Sequence, residues 1–99
     1  MSISASVKGE LVTVFIDGSF DVSAYEAFKD ICQENLTATN RFIIDMAGAS
    51  YMDSSALGML LLLREKTAGD KKRITLINVS KNVQSILEIA QFQKLFVIQ

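Results

Sequence analysis

The sequence predicts an α/β fold in one domain over residues 1–99, with a mixed sheet of about five strands and about three helices packed mainly on one face. Three observations predict it. Short apolar runs alternate along the chain with longer segments of helical periodicity, the pattern of parallel crossovers. A length of 99 residues suits one hydrophobic core without staples. A composition of 49% hydrophobic and 21% charged residues, with no proline, excludes a disordered tail.

The elements follow in chain order. Ile3, Ala5 and Val7 alternate with Ser4 and Ser6, which predicts a half-buried strand. Lys8-Gly9 marks a turn, and Leu11 to Ile16 forms the second strand of a hairpin. Asp17-Gly18-Ser19 ends that strand with turn chemistry. Asp21 is the expected N-cap of a helix over Val22 to Leu36, with Tyr25, Phe28 and Cys32 as its core stripe. Thr37 to Asn40 reads as a polar loop, and Arg41 to Met46 as a strand whose Phe42-Ile43-Ile44 run suggests cover on both faces. Ala47 to Met52, rich in small residues, reads as a loop. Asp53-Ser54-Ser55 opens a helix to about Ala68, stopped by Gly69-Asp70. Ile74 to Ile77 is a buried strand. Ser80 caps a third helix whose apolar face is Val83, Ile86, Leu87 and Ala90, and Leu95 to Ile98 is the last strand.

Composition narrows the function. Ten basic and eleven acidic residues give a net charge of −1, which argues against duplex nucleic acid as the main partner. The lack of histidine removes Ser-His-Asp and Cys-His catalysis and the usual zinc sites. Cys32 is the single cysteine, so no internal disulfide forms, and a reducing compartment fits. Met1 to Val7 lacks the order of a signal peptide, and Leu57 to Leu63 is too short to span a bilayer, so the expectation is a cytoplasmic protein without direct membrane contact.

Asp53-Ser54-Ser55 carries three readings. It is a helix start in which these side chains accept backbone N–H bonds, a phosphorylation site on that start, or a nucleophile. The nucleophile lacks a histidine base and a nucleophile-elbow spacing. In the following helix, Leu57, Leu60 and Leu61 are expected to face the sheet, with Met59, Leu62 and Leu63 pointing away. Five consecutive apolar residues, Met59 to Leu63, cannot all hide under one face. Either both sides are covered or part forms a partner surface, with Met59 and Leu62 its expected exposed members. Lys71-Lys72-Arg73 reads as a solvated strand entry. Asp17, Asp21, Asp45 and Asp53 lie at element ends and could converge on one edge, but no metal-site spacing accompanies them. No phosphate-loop spacing surrounds Gly18 or Gly58.

Phe42-Ile43-Ile44-Asp45-Met46, the short loop, and Met52-Asp53-Ser54-Ser55-Ala56-Leu57-Gly58 together resemble the signature of STAS domains, more narrowly of bacterial anti-sigma factor antagonists. Asp17-Gly18-Ser19-Phe20-Asp21 and Ile74-Thr75-Leu76-Ile77-Asn78-Val79-Ser80 agree with it in order and spacing, so the resemblance covers nearly the whole chain. Ala56 stands where a glycine is usual, and Lys81 where a proline is common.

The resemblance implies a non-enzymatic binding module that regulates transcription or another output by partner switching. It implies phosphorylation at Ser54, with Ser55 the secondary candidate, by a serine protein kinase that is also an anti-sigma factor. A metal-dependent serine/threonine phosphatase would reverse the mark. The expected partner surface comprises Asp21, Asp53, Ser54, Ser55, Met59 and Leu62. No cofactor is expected in this chain, since nucleotide and metal would belong to the partners. The alternative is a constitutive STAS accessory subunit of a membrane transporter complex, docking without phosphorylation.

Overall fold

Alternating apolar residues set the sheet. Val12, Val14 and Ile16 on one strand, Phe42, Ile44 and Met46 on the next, and Ile74 and Leu76 on a third are all at most 2% exposed. They fall into cross-strand rows: Val12–Phe42–Ile74 and Val14–Ile44–Leu76. A strand period of two places every member of these rows on one face. The computed structural model describes residues 2–99. Its strands are β1 (Ser2–Lys8), β2 (Leu11–Phe20), β3 (Arg41–Met52), β4 (Ile74–Ile77) and β5 (Val97–Ile98), and its α-helices are α1 (Tyr25–Glu34), α2 (Ser54–Lys66) and α3 (Lys81–Ile89). The strands form one sheet in the order β1-β2-β3-β4-β5. β1 and β2 are antiparallel and the other pairs are parallel. Because the parallel order never reverses, the general right-handedness of parallel crossovers places α1, α2 and α3 on the same face. Among the described residues the other face carries no helix. There Thr13, Ile43 and Thr75 form a half-buried row. The predicted α/β architecture is therefore the observed one.

Several local expectations are corrected. Ile43 is only half-buried, so the Phe42-Ile43-Ile44 strand is covered on one face, not both. In β1 only Ile3 is half-buried, while Ala5 and Val7 are exposed, because an edge strand lies at the margin of the helix layer. β2 does not stop at Ile16, and Ala47 to Met52 is not a loop. The two segments pair as parallel strands, Asp17 with Gly48, Gly18 with Ala49, Ser19 with Tyr51 and Phe20 with Met52. Two register irregularities and a positive φ of 94° at Gly18 accommodate the turn-forming residues within the strand. The small residues mark close approach. A Cβ on Gly48 would lie 2.8 Å from Asp17 Oδ1 and 3.0 Å from the Ile16 carbonyl oxygen. β5 is shorter than expected, because Phe92–Lys94 forms a 3-10 turn that seats Phe92 and Phe96 in the core.

The helix expectations differ in quality. In α3, Val83 and Leu87 are fully buried with Ile86 and Ala90 packed beside them, as predicted. Asp21 caps a 3-10 turn, Val22–Ala24, that runs into α1. Phe28 and Cys32 are buried, but Tyr25 is 38% exposed and leaves the core stripe. In α2 the phase itself moves. Ala56, Met59, Leu60 and Leu63 are buried, whereas Leu61 and Leu62 are 41% and 45% exposed and Leu57 is half-buried. The expected exposure of Met59, the expected direction of Leu63 away from the sheet-facing arc and the expected burial of Leu61 are therefore wrong, while the expected exposure of Leu62 is observed. A helix apolar on every side carries no polar face to fix its rotation. Its phase is set instead by the Ala56–Met59–Leu60–Leu63 ridge that fits against α1 and the sheet.

Candidate functional site

The parallel strands β2 and β3 end together, with Phe20 opposite Met52. The next residue of each chain segment is an aspartate. The Asp53 N–H donates to the Phe20 carbonyl at 3.3 Å, tying the start of α2 to the end of β2. Asp21 and Asp53 are thus brought to adjacent positions at the C-terminal edge of the parallel strands.

Both aspartates are caps. Asp53 is extended, with φ −123° and ψ −171°, and its Oδ1 accepts from the Ser55 and Ala56 N–H groups at 2.9 and 3.2 Å. Its carbonyl accepts from Leu57 N–H at 3.3 Å. Asp21 Oδ1 accepts from Ser23 N–H at 3.0 Å and from the Ser23 hydroxyl at 2.5 Å. These two bonds hold the Asp21 carboxyl below the usual carboxylate pKa, the hydroxyl bond contributing most. Ser54, the first residue of α2, is exposed, and Ser55 is half-buried. Ala56, where the family resemblance expects glycine, is fully buried.

This arrangement changes the local electrostatics. A helix N-terminus normally offers free N–H groups to an anion. Here the Asp53 carboxylate already engages two of them. A phosphate on Ser54 would meet a site whose positive end is partly neutralised, with Asp53 and Asp21 close by.

The other predicted acidic residues separate from this pair. Asp45 Oδ1 accepts from Asn78 Nδ2 at 3.1 Å and from Ala47 N–H at 3.0 Å. Asp17 lies within β2, beside Gly48. Among the described residues, no group of three or more acidic, Cys or His side chains could hold a metal. Burial pushes the Cys32 thiol up to about 12, so it stays protonated at neutral pH and is a poor nucleophile. Among the described residues no helix is long and apolar enough to cross a membrane.

Of the predicted surface, Asp21, Asp53, Ser54 and Ser55 gather at one edge, and Leu62 lies farther along α2. Met59 is 4% exposed and forms part of the floor of a groove between α1 and α2. Sequence reasoning missed this groove. The signal that could have found it is the ladder Ser55–Met59–Leu62–Lys66, which repeats at helical spacing on α2.

The comparisons agree with this architecture over its whole length. The model of the STAS domain family matches residues 2–99. The STAS-domain containing protein PA14_20770 of Pseudomonas aeruginosa (strain UCBPP-PA14) is 42% identical over 100 residues, covering 99% of each chain. An anti-sigma factor antagonist from Mycobacterium paratuberculosis has a TM-score of 0.82 at 14% identity, covering 98% of this chain and 83% of that one. The anti-sigma factor antagonist SpoIIAA in its unphosphorylated form has a TM-score of 0.74 at 22% identity, covering 99% of this chain and 87% of the other. The phosphorylated form of SpoIIAA, the Bacillus cell fate determinant, gives 0.70 at 18% identity, covering 99% and 91%. At such identities the solved structures speak for the shared fold alone. The family match, the near-full-length relative and the one-sided β1-β2-β3-β4-β5 sheet lead to the same conclusion: the chain belongs to the STAS domain family.

Proposed function

We propose that this chain is a phosphorylation-controlled antagonist in a partner-switching system. Unphosphorylated, it binds a serine protein kinase that doubles as an anti-sigma factor. Phosphorylated at Ser54, it is released. A metal-dependent serine/threonine phosphatase resets it. The chain performs no catalysis of its own and acts in the cytoplasm. The observation that carries this reading is an exposed serine at the first position of α2, beside two capping aspartates at one sheet edge. SpoIIAA, a structural neighbour, exists in unphosphorylated and phosphorylated forms.

Electrostatics supports the direction of the switch. Phosphorylation adds a charge of roughly −1.5 to −2 at pH 7. Asp53 already occupies the Ser55 and Ala56 N–H groups, so the new charge faces outward rather than folding into the helix end. A docked partner must then desolvate it or face it with like charge, at a cost of several kcal/mol. A loss of about a hundredfold in affinity corresponds to about 2.8 kcal/mol. Ser54 leads Ser55 as acceptor because Ser55 is half-buried.

The test has two arms. Protein isolated from its native cells is resolved on a phosphate-affinity gel, and the retarded species is mapped by mass spectrometry. Label on Ser54, lost in Ser54→Ala, supports the proposal, while predominant label on Ser55 overturns the site. Calorimetry against the co-purified kinase then compares Ser54→Ala with Ser54→Asp. Binding retained by the alanine variant and lost by the aspartate variant is expected. Equal binding, with no phosphorylated species in cells, would overturn the switch and favour the constitutive transporter-subunit reading instead.

A further inference from the structure

The groove between α1 and α2 has its own chemistry. Its floor is apolar: Phe28, Cys32, Met59 and Leu63 line it and are each at most 5% exposed. Its flanks are open, with Tyr25 and Leu62 at 38% and 45% exposure. Lys29 and Lys66 also line it, one from each helix, and among the described residues no carboxylate does. The Lys29 ammonium sits 5.8 Å from the centroid of the Tyr25 ring, so one cation is held at the edge of the groove. On α2 the groove side continues through Ser55, one turn above Met59, toward the Asp53–Ser54 edge.

We propose that this groove docks an acidic amphipathic helix of a protein partner. The proposal rests on the reading of the chain as a partner-binding module and deepens it by naming the chemistry of the partner. Three features select this occupant. The cavity is about 280 Å³, just below the roughly 300–1,000 Å³ that encloses drug-sized molecules, and it is a channel between helices rather than a closed pocket. A space of this kind receives large apolar side chains projecting from a helix laid along it. The two lysines then pair with carboxylates flanking those anchors, which sets the sign of the partner's charge. The exposed Tyr25 and Leu62 supply the apolar margins that such a helix would cover.

The probe is a capped, side-chain-stapled helical peptide of about fifteen residues, long enough to hold helix, with leucines at i and i+4 flanked by glutamates. It is titrated into the isotope-labelled full chain, and amide shifts are followed by NMR. Expected are saturable shifts at Tyr25, Lys29, Leu62 and Lys66, at least tenfold weaker binding of the same peptide with lysines for glutamates, and reversal of that preference in Lys29→Glu/Lys66→Glu. Both substitutions lie at solvent-accessible positions, and an unchanged thermal midpoint verifies the fold of the variant. Equal affinity for both peptides, absence of saturation, or shifts confined to the helix-free sheet face would overturn the proposal. Binding of decanoate but not of the acidic peptide would overturn it in favour of a small amphiphile. The result is separable from the switch: Ser54→Ala abolishes phosphorylation without touching the lysines, and Lys29→Glu/Lys66→Glu leaves Ser54 intact.

Discussion

Helices α2 and α3 lie on the same face of the same sheet, yet only one is explained by the core it covers. α3 buries Val83 and Leu87, packs Ile86 and Ala90 beside them, and turns Lys81, Asn82, Gln84, Ser85 and Glu88 to solvent. Ile89, at 85% exposure, is its one large apolar residue outside that stripe. α2 buries Ala56, Met59, Leu60 and Leu63, and then exposes Leu61 and Leu62 on its outer flank. Their entries differ too. α3 begins after a left-handed Asn78, at φ 57°, and a short connection capped by Ser80. α2 begins one residue after β3 ends, with only its N-cap Asp53 between them, and Asp53 is bonded to the end of β2. A helix that carries more apolar surface than its core absorbs, tied at one end to the sheet, supports the partner-binding reading proposed above.

The largest test of this contrast is on the two sides of α2. Met59→Asp buries a charge and should cost on the order of 3–5 kcal/mol in urea denaturation. Leu62→Asp, three residues on, should change stability by no more than about 0.5 kcal/mol. Similar losses in the two variants would erase the distinction between core and surplus.

The next effect tests how α2 is delivered by its strand. Gly48→Ala forces a Cβ toward the Ile16 carbonyl and should cost about 1–3 kcal/mol. Gly58→Ala, within α2, meets nothing within 4 Å and should stabilise by about 0.5–1 kcal/mol through helix propensity. Thermal melts of the pair should move in opposite directions, and a shared direction would contradict the close strand approach at Gly48.

Smaller again are the caps. Asp53→Ala and Ser80→Ala should each lose about 1 kcal/mol. Asp53→Ala should lose more, because Asp53 accepts two backbone N–H bonds and places a charge at the helix start, whereas the Ser80 hydroxyl accepts one, from Val83 at 3.2 Å. The reverse order in chemical denaturation would mean that entry from the strand already fixes α2 without its cap.

The smallest effect is at Asp21. Its carboxyl titrates below the ordinary value near 3.8 because Ser23 bonds the ionised form. A lowered folded-state pKa makes this contribution to stability fully present above the unfolded value and lost as pH falls through the folded value. Ser23→Ala should raise the Asp21 midpoint toward 3.8 in a carboxyl NMR titration. An unmoved midpoint would assign the shift to the Ser23 backbone N–H or another neighbour rather than to the Ser23 hydroxyl.

Local chemistry made much of the molecule legible in the sequence. The strands centred on Val12–Ile16, Phe42–Met46 and Ile74–Ile77 announced themselves by apolar and β-branched residues, and α3 by a polar face opposite an apolar one. The caps Asp21, Asp53 and Ser80 were readable because a side-chain acceptor before a helix acts on N–H groups two or three residues away. The Asp53-Ser54-Ser55 edge was legible for the same reason.

Non-local packing decided the rest. Gly18 and Ala47-Gly48 read as turn and loop, but became strand because each segment supplied the other's backbone partners, and only small residues admit that approach. The rotation of α2 was open in a sequence apolar on all sides, until α1 and the sheet selected Met59 and Leu63 for the interior and left Leu61 and Leu62 outside. The α1–α2 groove belongs to neither helix alone. Lys29 and Lys66 are distant in sequence, and only the one-sided stacking of right-handed crossovers sets them along the same channel.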